Sequence, residues 1–331
     1  MSLEAIASAL PSIRQDAAEV ARLTGAKESF IKDKVGLKQR YILAPEETGV
    51  GLAAAACEKL MAAKGLKPEA VDVLIFVTQT PDRKLPQNSA QLAQCLGLKA
   101  GLAAFDLALG CSGYVYGLQV VESFLAATGC ETALLVTCDP YSRIMAAEDT
   151  ATNAVFGDAA TASLVLRRGD RSRLGITDFG TDGGGGEAIR IDAGAAQAPS
   201  VALQVDDVAA HDRDALRLKM NGREVFNFVM TRIPVSIETC LARNGLALDE
   251  VDCFACHQGS LYMLQSLAKR AGIPPEKLLI NIDRYGNTVS STIPMLLEAQ
   301  MANGSMAGKT VLVSGFGVGL SWATSVIRFG S

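Results

Sequence analysis

Two stretches of this chain repeat each other in the same order, and a chain made of two copies of one unit has few ways to fold. Gly65-Leu-Lys-Pro-Glu-Ala-Val-Asp-Val-Leu-Ile-Phe76 is echoed by Gly245-Leu-Ala-Leu-Asp-Glu-Val-Asp-Cys-Phe-Ala-Cys256, each reading as a helix exit, a turn and a buried strand. Gly110-Cys111 heading a helix has a counterpart in Gly286-Asn287, and Thr132-Ala-Leu-Leu-Val136 in Thr310-Val-Leu-Val313. Phe156-Gly-Asp-Ala-Ala-Thr-Ala-Ser163 resembles Phe316-Gly-Val-Gly-Leu-Ser-Trp-Ala323. The pattern predicts an α/β protein of two fused halves, residues 1–170 and 171–331. Equivalent strand ends then meet about a pseudo-twofold axis, which brings Cys111 next to Asn287.

Those strand ends carry chemistry. Phe105-Asp-Leu-Ala-Leu-Gly-Cys-Ser-Gly-Tyr114 is a short apolar strand running through Gly-Cys into a helix. A thiol there faces the positive end of the helix dipole, which favours the thiolate that attacks acyl groups. The chain holds only two histidines. His211 lies in the polar run Asp206–Asp214, read as a solvated loop, whereas His257 ends the apolar run Val251-Asp-Cys-Phe-Ala-Cys and sits where a buried strand emerges. Asn281-Ile-Asp-Arg-Tyr-Gly-Asn287 is read as a further strand ending at a helix start, where Asn also serves as a cap. Cys111, His257 and Asn287 form the candidate constellation. Each alone has a plain reading, respectively a packed thiol, a satisfied core histidine and a turn residue; the repeat is what groups them.

With these pieces in order, from Lys34-Val-Gly-Leu-Lys-Gln-Arg-Tyr41 through Phe156-Gly-Asp158, His257-Gln258 and Asp283-Arg-Tyr-Gly-Asn287 to Gly315-Phe-Gly-Val-Gly-Leu-Ser-Trp322, the chain resembles the 3-oxoacyl-[acyl-carrier-protein] synthase III ketosynthases of the thiolase superfamily. The resemblance implies a thiolase-like duplicated β/α fold in five layers, α-β-α-β-α. It implies that Cys111 takes an acyl group from a thioester. His257 and Asn287 then hold the carbonyl of a malonyl thioester, and the enolate left by loss of carbon dioxide attacks the acyl group. Backbone N–H groups of Cys111 and Gly317 serve as the oxyanion hole. No metal or redox cofactor is implied; coenzyme A or phosphopantetheine thioesters are substrates. The partners implied are acyl carrier protein and a second copy of the chain, in a cytoplasmic homodimer.

The resemblance also places Phe30, Lys34, Leu85, Thr150 and Phe156 at substrate-binding positions. Phe30 and Thr150 stand where many members hold adenine between a Trp and an Arg, so a stacking cation is missing. Leu85 replaces a Phe that shapes the acyl pocket across the dimer. Gln258-Gly-Ser-Leu-Tyr262 lacks a basic residue usual after the histidine, leaving Lys269 and Arg270 to meet an acidic carrier. These departures keep a rival reading open, a non-condensing transfer from Cys111 to an amine or hydroxyl. A catalytically silent acyl- or carrier-binding protein is a third, disfavoured by the intact constellation.

Other motifs carry less. Cys253-Phe-Ala-Cys-His257 fits a haem-attachment pattern, yet it follows a buried-strand pattern in a chain whose start has no export signal. No second Cys or His pair stands at zinc spacing. Gly183–Gly186 lacks the Gly-Lys that a phosphate loop needs and reads as a surface loop. With 49% hydrophobic residues and a formal charge of -4, the chain can bury a large core and has no general attraction for nucleic acid or an anionic membrane. No segment reads as membrane-spanning, and eight irregularly spaced cysteines read as reduced thiols.

Overall fold

Val73-Leu-Ile-Phe-Val77 is apolar at every position, as a strand covered on both faces must be, and all five residues are buried. The computed structural model describes residues 1–196 and 214–330, so His211 lies outside the described residues. Val73–Val77 belongs to a five-stranded sheet ordered Ser2–Ala9, Ala160–Leu166, Thr132–Cys138, Val73–Val77, Ala103–Leu107. Its last three strands are parallel and its first two run antiparallel to their neighbours.

The second sheet repeats this plan in the order Cys253–Cys256, Thr310–Gly317, Ser321–Phe329, Ser172–Leu174, with Asp178–Thr181 also pairing with Ser321–Phe329. Val73 lies parallel to Ala133 as Cys253 does to Val311, and each inner strand then pairs antiparallel with the next. Even the edge strand Ala103–Leu107 has a remnant, a single parallel bridge between Phe254 and Leu278. The local route into each copy is the same. A helix ends, a glycine turns in left-handed conformation (Gly65 φ 59°, Gly245 φ 63°), a single 3-10 turn follows, and the strand begins.

Helices Gly113–Thr128 and Thr292–Ala302 lie between the sheets and touch both. Gly49–Lys64 and Asn88–Cys95 cover the outer face of the first sheet; Gly222–Arg243 and Leu261–Ala271 cover the second. The result is the five-layered α-β-α-β-α arrangement. A β-carbon on Gly113 would lie 2.4 Å from Val77 Cγ1, and one on Gly117 2.7 Å from Leu135 Cδ1, so the central helix sits on its sheet at glycine distance.

Three local expectations need correction. Asn281–Asn287 is not a strand: Ile282–Tyr285 is one turn of helix, and only Asn287 makes a bridge, to Phe156. Gly183–Ala188 forms a 3-10 turn started by Asp182, whose side chain accepts from the Gly184 N–H. Gly222–Arg243 does have the length and hydropathy of a membrane span. It buries the stripe Val225, Val229, Ile233, Ile237, Leu241 on the second sheet, which accounts for its apolar character.

Candidate active site

The strand Ala103–Leu107 and helix Gly113–Thr128 place Cys111 at their junction, where it is only 6% exposed. The hairpin at the end of Thr310–Gly317 presses on it from the second half. A β-carbon on Gly315 would lie 2.7 Å from the Cys111 carbonyl oxygen, and one on Gly317 2.8 Å from Cys111 Sγ. Glycine is required at both, because a side chain would strike the Cys111–Ser112 backbone at position 315 and the Cys111 side chain at position 317. Ser112 and Ser321 join their hydroxyls at 2.8 Å and lock this contact.

The expectation of a resting thiolate fails. Burial pushes the Cys111 thiol up to about 12, and the nearby carboxyl of Asp139 pushes the same way; backbone N–H groups of Cys111 and Val318 pull it down without prevailing. Cys111 is therefore a thiol at rest, already flanked by N–H donors. The Asp139 carboxyl is itself raised to about 6 by burial, while accepting from the Gln79 N–H and the Ser290 hydroxyl.

His257 follows strand Cys253–Cys256, its N–H donating to the Ser314 carbonyl at 2.9 Å. Gln258 beside it donates to the Cys256 carbonyl and accepts from the Asn281 N–H, pinning the next segment to the strand end. The His257 ring is buried, meets Phe316 edge to face at 5.6 Å, and places Nδ1 2.8 Å from Thr292 Oγ1. Burial drives its pKa down to about 3, so the imidazole is neutral. Cys253 and Cys256 are buried in the same strand, which leaves no accessible segment for haem attachment.

Asn287 is held by its own backbone, which accepts from the Gly157 N–H and donates to the Val155 carbonyl, each at 3.0 Å. Its Oδ1 accepts from the Val289 N–H at 2.9 Å, which leaves Nδ2 as the group it can offer a ligand. Val289 has φ 54°, rare for a β-branched residue.

Cys111, His257, Asn287 and Gly317 line one cavity of about 370 Å³, with Phe30, Lys34, Thr150 and Phe156. Phe30 is 42% exposed at its mouth, and Phe156 is buried against Tyr141 with ring centres 4.9 Å apart. The Thr150 hydroxyl donates to the Thr24 carbonyl and serves the fold. Lys34 Nζ stands 4.9 Å over the ring of Tyr262, which stacks on Phe226. Three predicted positions are elsewhere. Leu85 is 85% exposed and does not line this cavity. Lys269 and Arg270 end helix Leu261–Ala271, about 10 Å along it from Tyr262, where a basic last turn also suits the helix dipole. Sequence reasoning missed Tyr141, Met220, Phe226, Phe316 and Thr292. Met220 and Phe226 come from a strand and helix with no mark of a site, and the pair Ser291-Thr292 gives no local signal.

Comparison with known proteins gives a consistent result. The family described as 3-Oxoacyl-[acyl-carrier-protein (ACP)] synthase III matches residues 105–183, and its C-terminal counterpart matches residues 241–329. The Beta-ketoacyl-[acyl-carrier-protein] synthase III of Acidiphilium cryptum is 33% identical over 330 residues, covering 99% of this chain and 98% of that protein. The protein of the same name from Synechocystis sp. is 33% identical over 312 residues, covering 94% and 92%. A crystal structure of a 3-oxoacyl-(acyl-carrier-protein) synthase III is similar with TM-score 0.92 at 35% identity, covering 99% of each chain. The priming beta-ketosynthase of the R1128 polyketide pathway, at 24% identity and TM-score 0.87 with 99% and 96% covered, has the same fold.

Proposed function

This chain belongs to the 3-oxoacyl-[acyl-carrier-protein] synthase III family, with its thiolase-like fold, and we propose that it condenses an acyl thioester with malonyl-carrier protein through Cys111, His257 and Asn287. The observation that carries this reading is the meeting of all three side chains in one largely apolar cavity, with the Asn287 amide already committed as a donor.

In the first step the Cys111 sulfur bonds to the donor's acyl carbon while the carbon–sulfur bond of the donor breaks, and the thiol proton leaves with the departing thiolate. The N–H groups around Cys111 favour the oxyanion of the tetrahedral intermediate. In the second step the malonyl carboxylate leaves as carbon dioxide and its electron pair passes into an enolate, whose oxygen takes hydrogen bonds from His257 and Asn287. The enolate carbon then attacks the acyl carbon, the bond from that carbon to the Cys111 sulfur breaks, and the Cys111 thiolate takes a proton from water to restore the thiol. No atom changes metal ligation, and no external electron donor enters the balance.

The partners are part of the same proposal. The donor is an acyl-coenzyme A or acyl-carrier thioester, and Lys269 and Arg270 are exposed cations on the carrier side. A second copy docks on the edge strand Ala103–Leu107, whose five residues are all half-buried and which continues into a cleft lined by Tyr116, Val120, Phe124 and Phe179. Asp106 of that strand caps helix Asn88–Cys95 through the N–H groups of Asn88 and Ser89, so the loop bearing Leu85 emerges beside the edge and faces the partner. The eight cysteines are unpaired, which suits a cytoplasmic location.

The test is to incubate the protein with a panel of acyl thioesters, weigh the Cys111 peptide, then add malonyl-carrier protein. Conversion of the acyl group to a 3-oxoacyl chain is expected. Acylation without condensation would instead favour transfer to oxygen or nitrogen, and absence of acylation would overturn the covalent mechanism.

A further inference from the structure

Asp139 is wholly buried, and among the described residues no cation offsets its charge. A buried carboxylate is costly unless hydrogen bonds satisfy it. The donors here are neutral and come from both halves of the chain. One carboxylate oxygen accepts from the Gln79 N–H at 2.7 Å and lies 3.4 Å from the Thr78 hydroxyl. The other accepts from the Ser290 hydroxyl, and the Ser290 N–H also favours the charged form. Thr78 and Gln79 follow strand Val73–Val77 of the first half, whereas Ser290 lies in the turn Val289–Ser291 of the second.

That turn is tied to the Asn287 side chain. Asn287 Oδ1 accepts from the Val289 N–H at 2.9 Å, the contact that leaves Nδ2 for a ligand. Val289 itself has the left-handed φ of 54°, which a β-branched residue avoids. Such a conformation persists only where its surroundings hold it in place. On one side Asn287 is fixed by backbone hydrogen bonds with Val155 and Gly157, each at 3.0 Å. On the other, Ser290 is held by Asp139, and the Ser291 hydroxyl donates to the Ala159 carbonyl at 3.1 Å. The bond to Asp139 is the charge-assisted one, about twice as strong as a neutral hydrogen bond. It also acts on the residue directly after Val289. The Val289 side chain packs against Gly110, the neighbour of Cys111, where an added β-carbon would lie 3.2 Å from Val289 Cγ1.

We infer that Asp139, acting through Ser290, holds the strained turn at Val289 and so keeps the Asn287 amide aimed into the cavity. Asp139 is then a positioning residue, supplied by the half that carries Cys111 to the residue supplied by the other half. The kinetic consequence rests on the condensing reading; the structural one does not.

Two variants test this. Ser290→Ala removes the hydroxyl alone, while Asp139→Asn sets an amide donor against Ser290 and keeps an acceptor for Gln79. Crystal structures of both are compared with the wild type, and malonyl-thioester decarboxylation is measured at about pH 8, where Asp139 is ionised. In Asp139→Asn the contact between Asn287 Oδ1 and the Val289 N–H opens. Its kcat falls by about 10²-fold, the scale of a 1 Å misplacement, with KM within about threefold of wild type. Ser290→Ala shows the same changes to a smaller degree. In an Asn287→Ala background the Asp139 substitution lowers the residual rate by less than about twofold, because the group it orients is gone. An unmoved contact in both variants overturns the inference, whatever the rates. So does an equal loss in the two backgrounds, which would mark Asp139 as part of the general fold. If Asp139→Asn does not fold, Ser290→Ala decides on the same readouts. A displaced turn in a protein that decarboxylates no malonyl thioester upholds the role of Asp139 and overturns the condensing reading.

Discussion

At His257 burial and chemistry have a shared consequence that can be measured. Its pKa falls from an ordinary 6.5 to about 3 because the charged ring would have to leave water. A depressed base binds its proton in the unfolded chain first, so the stability this site contributes is present above about 6.5 and is lost as pH falls toward 3. Asp139 works in reverse, since its raised pKa gives a contribution present below about 4 and lost as pH rises through about 6. We expect malonyl decarboxylation to show no ionisation of His257 between pH 5 and 8. We also expect His257→Asn, compared with wild type by denaturant unfolding, to lose less stability on going from pH 6.5 to 4. An inflection near 6.5 in the rate, abolished in the variant, would contradict the neutral imidazole.

Among the elements, the segment 153–157 matters beyond its length, because it carries Phe156 into the cavity and bridges Asn287. Its anchor is Arg40, the largest fully buried side chain, at 1% exposed. The guanidinium donates to Gln15 Oε1, to the carbonyls of Asn153 and Phe156, and to Asn153 Oδ1. Burial lowers its pKa to about 10, with Asp158 opposing, so the cation persists at neutral pH. Arg40→Met keeps the stem and strands these acceptors. It should cost about 2–4 kcal/mol in denaturant unfolding and should weaken condensation in the folded fraction. An unchanged midpoint would show that the acceptors find other partners. None of this was legible in the sequence: Arg40 reads as one more charge, whereas Val73–Val77 and the glycine exits at Gly65 and Gly245 announce their structure locally. The stretch Asn281–Asn287 reads as a strand because its repeat partner leads from one. Here the second copy keeps only the bridge at Leu278 and turns helical at Ile282.

For the whole molecule, the core between the two sheets is shared by both halves. Helix Thr292–Ala302 packs on Ser2–Ala9 of the first half, while Gly113–Thr128 packs on Thr310–Gly317 of the second. Among the described residues, Ala103–Leu107 has no outer strand neighbour, so this sheet edge is open. Phe179 lies in the cleft beside that edge and is 42% exposed, so Phe179→Glu should leave the fold intact while weakening a dimer that closes there. Light scattering after size exclusion should give a dimer for the wild type and a shift toward monomer for the variant. A monomeric wild type, or a variant of unchanged mass, would refute docking on this edge.

The sequence by itself determined the duplicated α/β plan and brought forward Cys111, His257 and Asn287, which line one cavity, because repeats, apolar runs and strand-to-helix junctions are local patterns that survive being read in one dimension. What only the tertiary structure decided depends on contacts between residues far apart. Cys111 is a buried thiol rather than a thiolate, because the hairpin bearing Gly315 and Gly317 excludes water from it. Leu85 is exposed outside the cavity of its own chain, and Thr292, unremarkable as a letter, stands at Nδ1 of His257. Desolvation and hydrogen-bond direction belong to the packed site, and no single stretch of the chain contains them.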